Sequence, residues 1–190
     1  IELNKDKIFT AASLSKLFVA GAFYEEAQKN PSILGKEMLL ESSDKIEGGS
    51  LYDQPEGSVY DPIMLIQKMM KESDNTAFAI LIRELGFNKV NNFIKSSGFT
   101  NTDFINNNSS PNDIGWFLEK LYNKNFFATD FREQLLGFMQ DTSFEDRIPY
   151  YLPKDIKVSH KIGTWEGAYS DAGIVFAPMG DYIIVVMTDN

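Results

Sequence analysis

The chain changes its hydrophobic period once, near Pro153, and that change restricts the fold more than any other feature. Before it, apolar residues recur three and four apart, the spacing of one helix face. The spacing predicts helices over 13–28, 61–71, 76–85, 88–97, 111–122 and 130–139. Asn30-Pro31 ends the first of these, and Ser110 with Pro111 supplies a cap and a first helical residue for the fifth. After Pro153 three runs rich in Val, Ile and aromatics read as strands: Val158 to Gly163, Ala172 to Ala177 and Tyr182 to Thr188. The Pro178-Met179-Gly180-Asp181 turn joins the last two as an antiparallel hairpin. Trp116 and Phe117 are expected on a buried helix face, and the paired Met69 and Met70 in the core.

Composition narrows the functional classes. At 190 residues, 43% hydrophobic and 13% aromatic, the chain suits one globular domain with a substantial core. A formal net charge of −9 argues against a nucleic-acid partner. No apolar stretch approaches the roughly 20 residues needed to span a bilayer. Cysteine is absent, which excludes disulfides and thiolate zinc sites. The single histidine, His160, falls on the strand face opposite Lys161 and reads as structural.

Three short motifs carry the chemistry. In Ser13-Leu14-Ser15-Lys16, residues three apart share a helix face, so Lys16 can reach the Ser13 hydroxyl and take its proton. An amine does this only when neutral, which needs burial or nearby positive charge; Lys161 supplies that charge if the fold brings it close. Ser13 at a helix start also puts free N–H groups where an oxyanion would develop. A second copy of the spacing, Ser42-Ser43-Asp44-Lys45, lies in a polar stretch and reads as a turn. Ser73-Asp74-Asn75 occurs once, between two helical runs, and Lys161-Ile162-Gly163-Thr164 closes the first predicted strand. Trp165, next to it, either lines a site or caps the sheet edge.

In this order the motifs resemble the S-x-x-K, S-D-N and K-T-G set of class A β-lactamases and penicillin-binding proteins. The resemblance implies an α/β (α+β) fold, an antiparallel sheet flanked by helices plus a helical subdomain. The subdomain would span about 29–148 and the sheet part about 1–28 and 149–190. It also implies roles. Ser13 is the nucleophile, Lys16 the general base, and Ser73 relays a proton to the leaving nitrogen. Lys161 attracts the substrate carboxylate, Asn75 holds the substrate amide, Gly163 admits close backbone approach, and the N–H groups of Ser13 and Thr164 bind the oxyanion. Asp74 buttresses its turn. The implied partner is a β-lactam or a peptidoglycan-type peptide, with no metal or organic cofactor and a location outside the cytoplasm.

The chain departs from the family pattern in three places. Ile162 replaces the hydroxyl residue between Lys161 and Gly163 that normally meets the carboxylate. No Glu-x-x-Leu-Asn motif lies between the second and third motifs, and Asp103, the carboxylate of that short loop, reads as a turn residue. Acylation is therefore expected, and fast hydrolysis of the acyl-enzyme is not. Finally, twelve residues precede Ser13 where the family has a helix and two strands, and its closing helix has no counterpart here. The expectation is a piece of a longer protein, or elements supplied from elsewhere.

Within the class, a D,D-peptidase or slow penicillin-binding enzyme competes with a β-lactamase. The alternative from another class is a non-catalytic penicillin-binding or sensor domain of the same fold. An esterase or amidase on an unrelated substrate is the third reading.

Overall fold

A computed structural model describes residues 1–123 and 126–189. The first strand, β1 (Phe9–Thr10), leads into a 3-10 turn over Ala12–Ser15 and then helix α1 (Lys16–Lys29). Sequence spacing started this helix at 13; the α-helical part begins three residues later, because the chain enters through the tighter turn. Helix α1 is buried on nearly every side, as a helix apolar all round must be. Gly21 allows this: a Cβ there would sit 2.5 Å from the Phe93 ring.

The helical middle holds two short antiparallel strands, β2 (Met38–Leu39) and β3 (Val59–Tyr60), then helices α2 (Pro62–Lys71), α3 (Asn75–Leu85) and α4 (Phe87–Ser96). Asp61 and Asp74 cap α2 and α3 by accepting from Met64 N and Ala77 N, both at 2.8 Å. Strand β4 (Asn108–Ser109) pairs with β1, followed by α5 (Pro111–Tyr122) and α6 (Thr129–Phe138). Phe18, Phe99 and Phe117 meet edge-on or tilted in the core, with centroids 5.2–6.1 Å apart. Met69 and Met70 are buried beside this core as expected, whereas Trp116 is 43% exposed and only Phe117 faces inward.

From residue 157 the chain forms an antiparallel sheet, β5 (Lys157–Trp165), β6 (Ala168–Phe176) and β7 (Tyr182–Thr188), in that order. The expected hairpin between the last two strands is present, its turn closed by Gly180 N to Ala177 O at 3.0 Å. Strand β6 starts four residues earlier than its apolar run. Trp165 pairs with Ala168 across a two-residue Glu166-Gly167 turn, with Gly167 at φ 80°. Register then carries the polar Tyr169, Ser170 and Asp171 into the ladder. This is the α+β arrangement expected from the sequence.

Candidate active site

Strand β5 packs against the 3-10 turn that carries Ser13, and their closeness depends on Gly163. A Cβ there would lie 2.7 Å from Ala11 O and 3.3 Å from Leu14 Cγ. Gly163 thus serves a protein contact, and it is its neighbour Thr164 that lines the cavity. Across the turn, Ala11 N donates to Asn107 O at 2.8 Å, tying the loop before β4 to the segment that carries Ser13. Ala12 sits at φ 48° and Ser73 at φ 55°. Left-handed backbone at two non-glycine residues costs on the order of 1–3 kcal/mol each and clusters at functional sites.

Between the turn, the loop over 101–110 and the end of β5 lies a cavity of about 370 Å³. Ser13, Lys16, Asn75 and Thr164 line it, four of the seven residues singled out from the sequence. Its opposite wall is apolar, built from Phe78, Phe87, Phe104, Ile105 and Trp165. Trp165 is therefore a site residue. Phe104 packs on Phe78 and Phe87 at 6.3 and 5.9 Å, which makes this wall a continuous aromatic surface.

Lys16 is 3% exposed. Its amine donates to Asn75 Oδ1 at 2.6 Å, to Ser73 Oγ at 3.3 Å and to the Ser73 carbonyl. It is turned to these acceptors rather than bonded to the Ser13 hydroxyl, which shares the cavity wall with it. Burial lowers its pKa to about 7, against the smaller opposing pull of Asp74. Of the two sources the sequence allows, burial and a neighbouring positive charge, burial is the one that lowers it.

Lys161 is 1% exposed and lies behind the cavity wall, not in it. Its amine donates to Ser73 Oγ at 2.9 Å and to Ile162 O at 3.1 Å. Burial first, then the Lys16 and Arg147 charges, hold its pKa well below the lysine range, with Asp171 opposing. Both of these bonds are to groups of the protein itself. Two amines from distant parts of the chain converge on one hydroxyl, that of Ser73.

Asn75 is committed on both ends, accepting from Lys16 and donating from Nδ2 to Glu47 O at 2.6 Å. Asp74 is fully buried and takes Leu51 N at 2.8 Å as well as its cap, so it braces the turn as expected. Gly49 permits the approach: a Cβ there would fall 2.3 Å from the Asp74 carboxylate. Thr164 faces Tyr169, whose backbone N–H and C=O both bond Thr188 Oγ1 on the far side. The pair is therefore the non-hydrogen-bonded kind, and the Thr164 N–H points out of the sheet's open edge.

Two residues here were missed in the sequence. Arg147, on the loop before β5, donates to Gly163 O at 2.9 Å, Ser170 O at 2.5 Å and Thr164 Oγ1. Thr164, which it holds, lines the cavity, so the guanidinium lies next to that lining. Asn107 lines the cavity, and its buried Oδ1 has no partner among the described residues. Only its place in the Asn106-Asn107-Asn108 run hinted at it. Asp103 spends its carboxylate on its own turn, accepting from Ile105 N and Asn106 N at 3.1 Å each, and Asn106 holds its pKa below the usual range. Among the described residues the cavity lining carries no carboxylate, and no cluster of metal-binding side chains occurs. The second Ser-x-x-Lys, at Ser42, is a 3-10 turn whose Asp44 pairs with Arg83 at 3.0 Å.

A model of the family described as "Beta-lactamase enzyme family" matches residues 1–190. Among solved structures, the chain is similar to a PBP-A mutant in an acyl-enzyme complex with penicillin G. The TM-score is 0.90 at 25% identity, covering 98% of this chain and 75% of that one. A β-lactamase from Sphaerobacter thermophilus superposes with TM-score 0.94 at 24% identity, covering 100% and 78%. One from Chitinophaga pinensis gives 0.92 at 23%, covering 100% and 80%. These last two bear on the fold alone.

Proposed function

Because this chain belongs to the beta-lactamase enzyme family, we propose that it is a serine acyl-transfer enzyme. On this reading Ser13 is acylated by β-lactams or D-Ala-D-Ala-type peptides, and the acyl group leaves slowly. The observation that carries this is the convergence of Lys16 and Lys161 on Ser73 Oγ, at 3.3 and 2.9 Å, beside Ser13 in a cavity whose described lining has no carboxylate.

Neutral Lys16 takes the Ser13 proton as Oγ attacks the carbonyl carbon. The resulting oxyanion sits between the N–H groups of Ser13 and Thr164. As the carbon–nitrogen bond breaks, Lys16 passes the proton through Ser73 Oγ to the leaving nitrogen, and an ester on Ser13 remains. Lys161 orients the Ser73 hydroxyl from behind. Arg147, bonded to Thr164 beside the cavity, meets the substrate carboxylate where Ile162 offers no hydroxyl. Hydrolysis of the ester needs a base to activate water, and the described lining of the cavity offers no carboxylate for that. The likeness to a PBP-A mutant captured as a penicillin acyl-enzyme supports the same reading. The protein then works outside the cytoplasm, where such peptides are found.

Labelling with a fluorescent penicillin tests this. A Ser13-dependent label that survives denaturation is expected; no label on the native protein, or an equal label on Ser13→Ala, counts against it.

A further inference from the structure

Behind the site, on the sheet face away from Lys161, a buried histidine bridges two carboxylates. His160 is fully buried on β5. Its Nδ1 lies 2.9 and 3.1 Å from the oxygens of Asp171 on β6, and its Nε2 lies 3.3 Å from Glu145 Oε1 on the preceding loop. Gly173, its cross-strand partner, leaves room for the ring, since a Cβ there would sit 2.6 Å from His160 Cβ. A neutral imidazole donates from one nitrogen only, so serving a carboxylate at each end requires the imidazolium.

The loop that Glu145 belongs to carries Arg147 two residues on. Ile148 N donates to Asp171 Oδ2 at 3.0 Å, and Arg147 spans Gly163 O, Ser170 O and Thr164 Oγ1. Glu145 also receives Thr142 N at 2.7 Å, which stiffens the loop's start. The segment is thus fastened to the sheet at three successive points, two of which run through the His160–Asp171 pair.

We propose that His160 is a positioning residue: bridging Asp171 and Glu145, it clamps the 142–148 loop to the sheet and so holds Arg147 beside the cavity for the substrate carboxylate. This rests on the role given to Arg147 above. The groups facing the imidazole are Asp171 from β6 and Glu145 and the Thr142 hydroxyl from the loop; the Met139 carbonyl, just past α6, accepts from the His160 backbone N–H at 2.8 Å. Burial alone would lower the His160 pKa; Asp171 and then Glu145 outweigh it and raise it above the ordinary value. The sign follows. The clamp is complete at low pH and loosens as pH rises through that raised value, because the neutral ring releases one carboxylate.

The test compares acylation of the wild-type chain, His160→Gln and Glu145→Gln across pH, with benzylpenicillin and its neutral methyl ester as probes. Glu145 is half exposed, so its variant keeps the comparison open if His160→Gln folds poorly. Expected is roughly a tenfold loss of apparent affinity for the acid in either variant, the scale of one hydrogen bond to a charged group. The ester should react alike in all three, and the alkaline fall in wild-type affinity for the acid should vanish in the variants. Equal pH profiles for acid and ester in all three proteins would overturn the proposal. Amide hydrogen exchange at Ile148 decides the clamp separately from the chemistry. If no protein is acylated, the functional reading fails; weaker Ile148 protection in the variants still upholds the clamp, and unchanged protection overturns it.

Discussion

Replacing Gly163 by alanine pushes directly on the contact that holds β5 against the turn carrying Ser13. The new Cβ would begin 2.7 Å from Ala11 O, 3.3 Å from Leu14 Cγ and 3.4 Å from Ala12 Cβ. The nearest of these is backbone, and no flexible side chain can swing aside to relieve it. Strand and turn must separate by about 0.7 Å to restore ordinary van der Waals contact. Overpacking of this kind costs about 1–3 kcal/mol. In a domain of this size that lowers Tm by about 2–12 °C. The same shift moves the Thr164 N–H away from Ser13, and misplacement of about 1 Å costs on the order of a hundredfold in rate. Roughly a tenfold slower acylation is therefore expected, read by stopped flow with a chromogenic β-lactam beside a thermal melt. Gly115→Ala is the control, because its nearest neighbour, Val185 Cγ2, would lie at 3.7 Å. Wild-type melting and acylation in Gly163→Ala would refute the account of why β5 and the Ser13 turn sit so close.

Three further outcomes follow from the same geometry. Acylation should rise with pH through about 7, as Lys16 loses its proton; a flat profile between pH 5.5 and 8.5 contradicts the assignment of Lys16 as base. Because that pKa is depressed from 10.5, the folded state binds fewer protons than the unfolded one between about 7 and 10.5. Lys16 therefore makes stability increase with pH over that window, by at most about 5 kcal/mol. Lys161→Met should slow acylation by benzylpenicillin and by its methyl ester equally, since Lys161 acts through Ser73; selective loss with the acid would return the carboxylate to Lys161. Asp74→Ala removes a cap and strands the Leu51 N–H, a combined cost of about 2–4 kcal/mol; a urea-unfolding change below 1 kcal/mol would show that the turn is held by other means.

What the sequence reveals is the local and the periodic. The six helices and the last hairpin follow from apolar spacing, and the Ser110 side chain announces its helix start by acting within three residues. The motifs also assemble as their order suggests, with Ser73 within hydrogen-bond reach of both Lys16 and Lys161. Contacts set by tertiary approach are hidden. Gly163 looks like a ligand-facing glycine until the Ser13 turn is seen against it. Lys161 looks like a surface cation until its burial is known, and Arg147 sits in a stretch with no period at all. His160 was assigned to the right face by strand alternation, yet its partners lie 11 and 15 residues away in sequence, beyond any local rule. The early start of β6 hinged on one glycine, Gly167, that licensed a tight turn amid polar residues.

The most direct measurement is intact-protein mass against time after benzylpenicillin is added, with drug consumption followed in parallel and Ser13→Ala alongside. The account expects one adduct, dependent on Ser13, that persists long after the free drug is removed, with little drug consumed beyond one equivalent. An adduct that clears while drug is steadily consumed would contradict it, because water would then be activated in a cavity whose described lining holds no carboxylate.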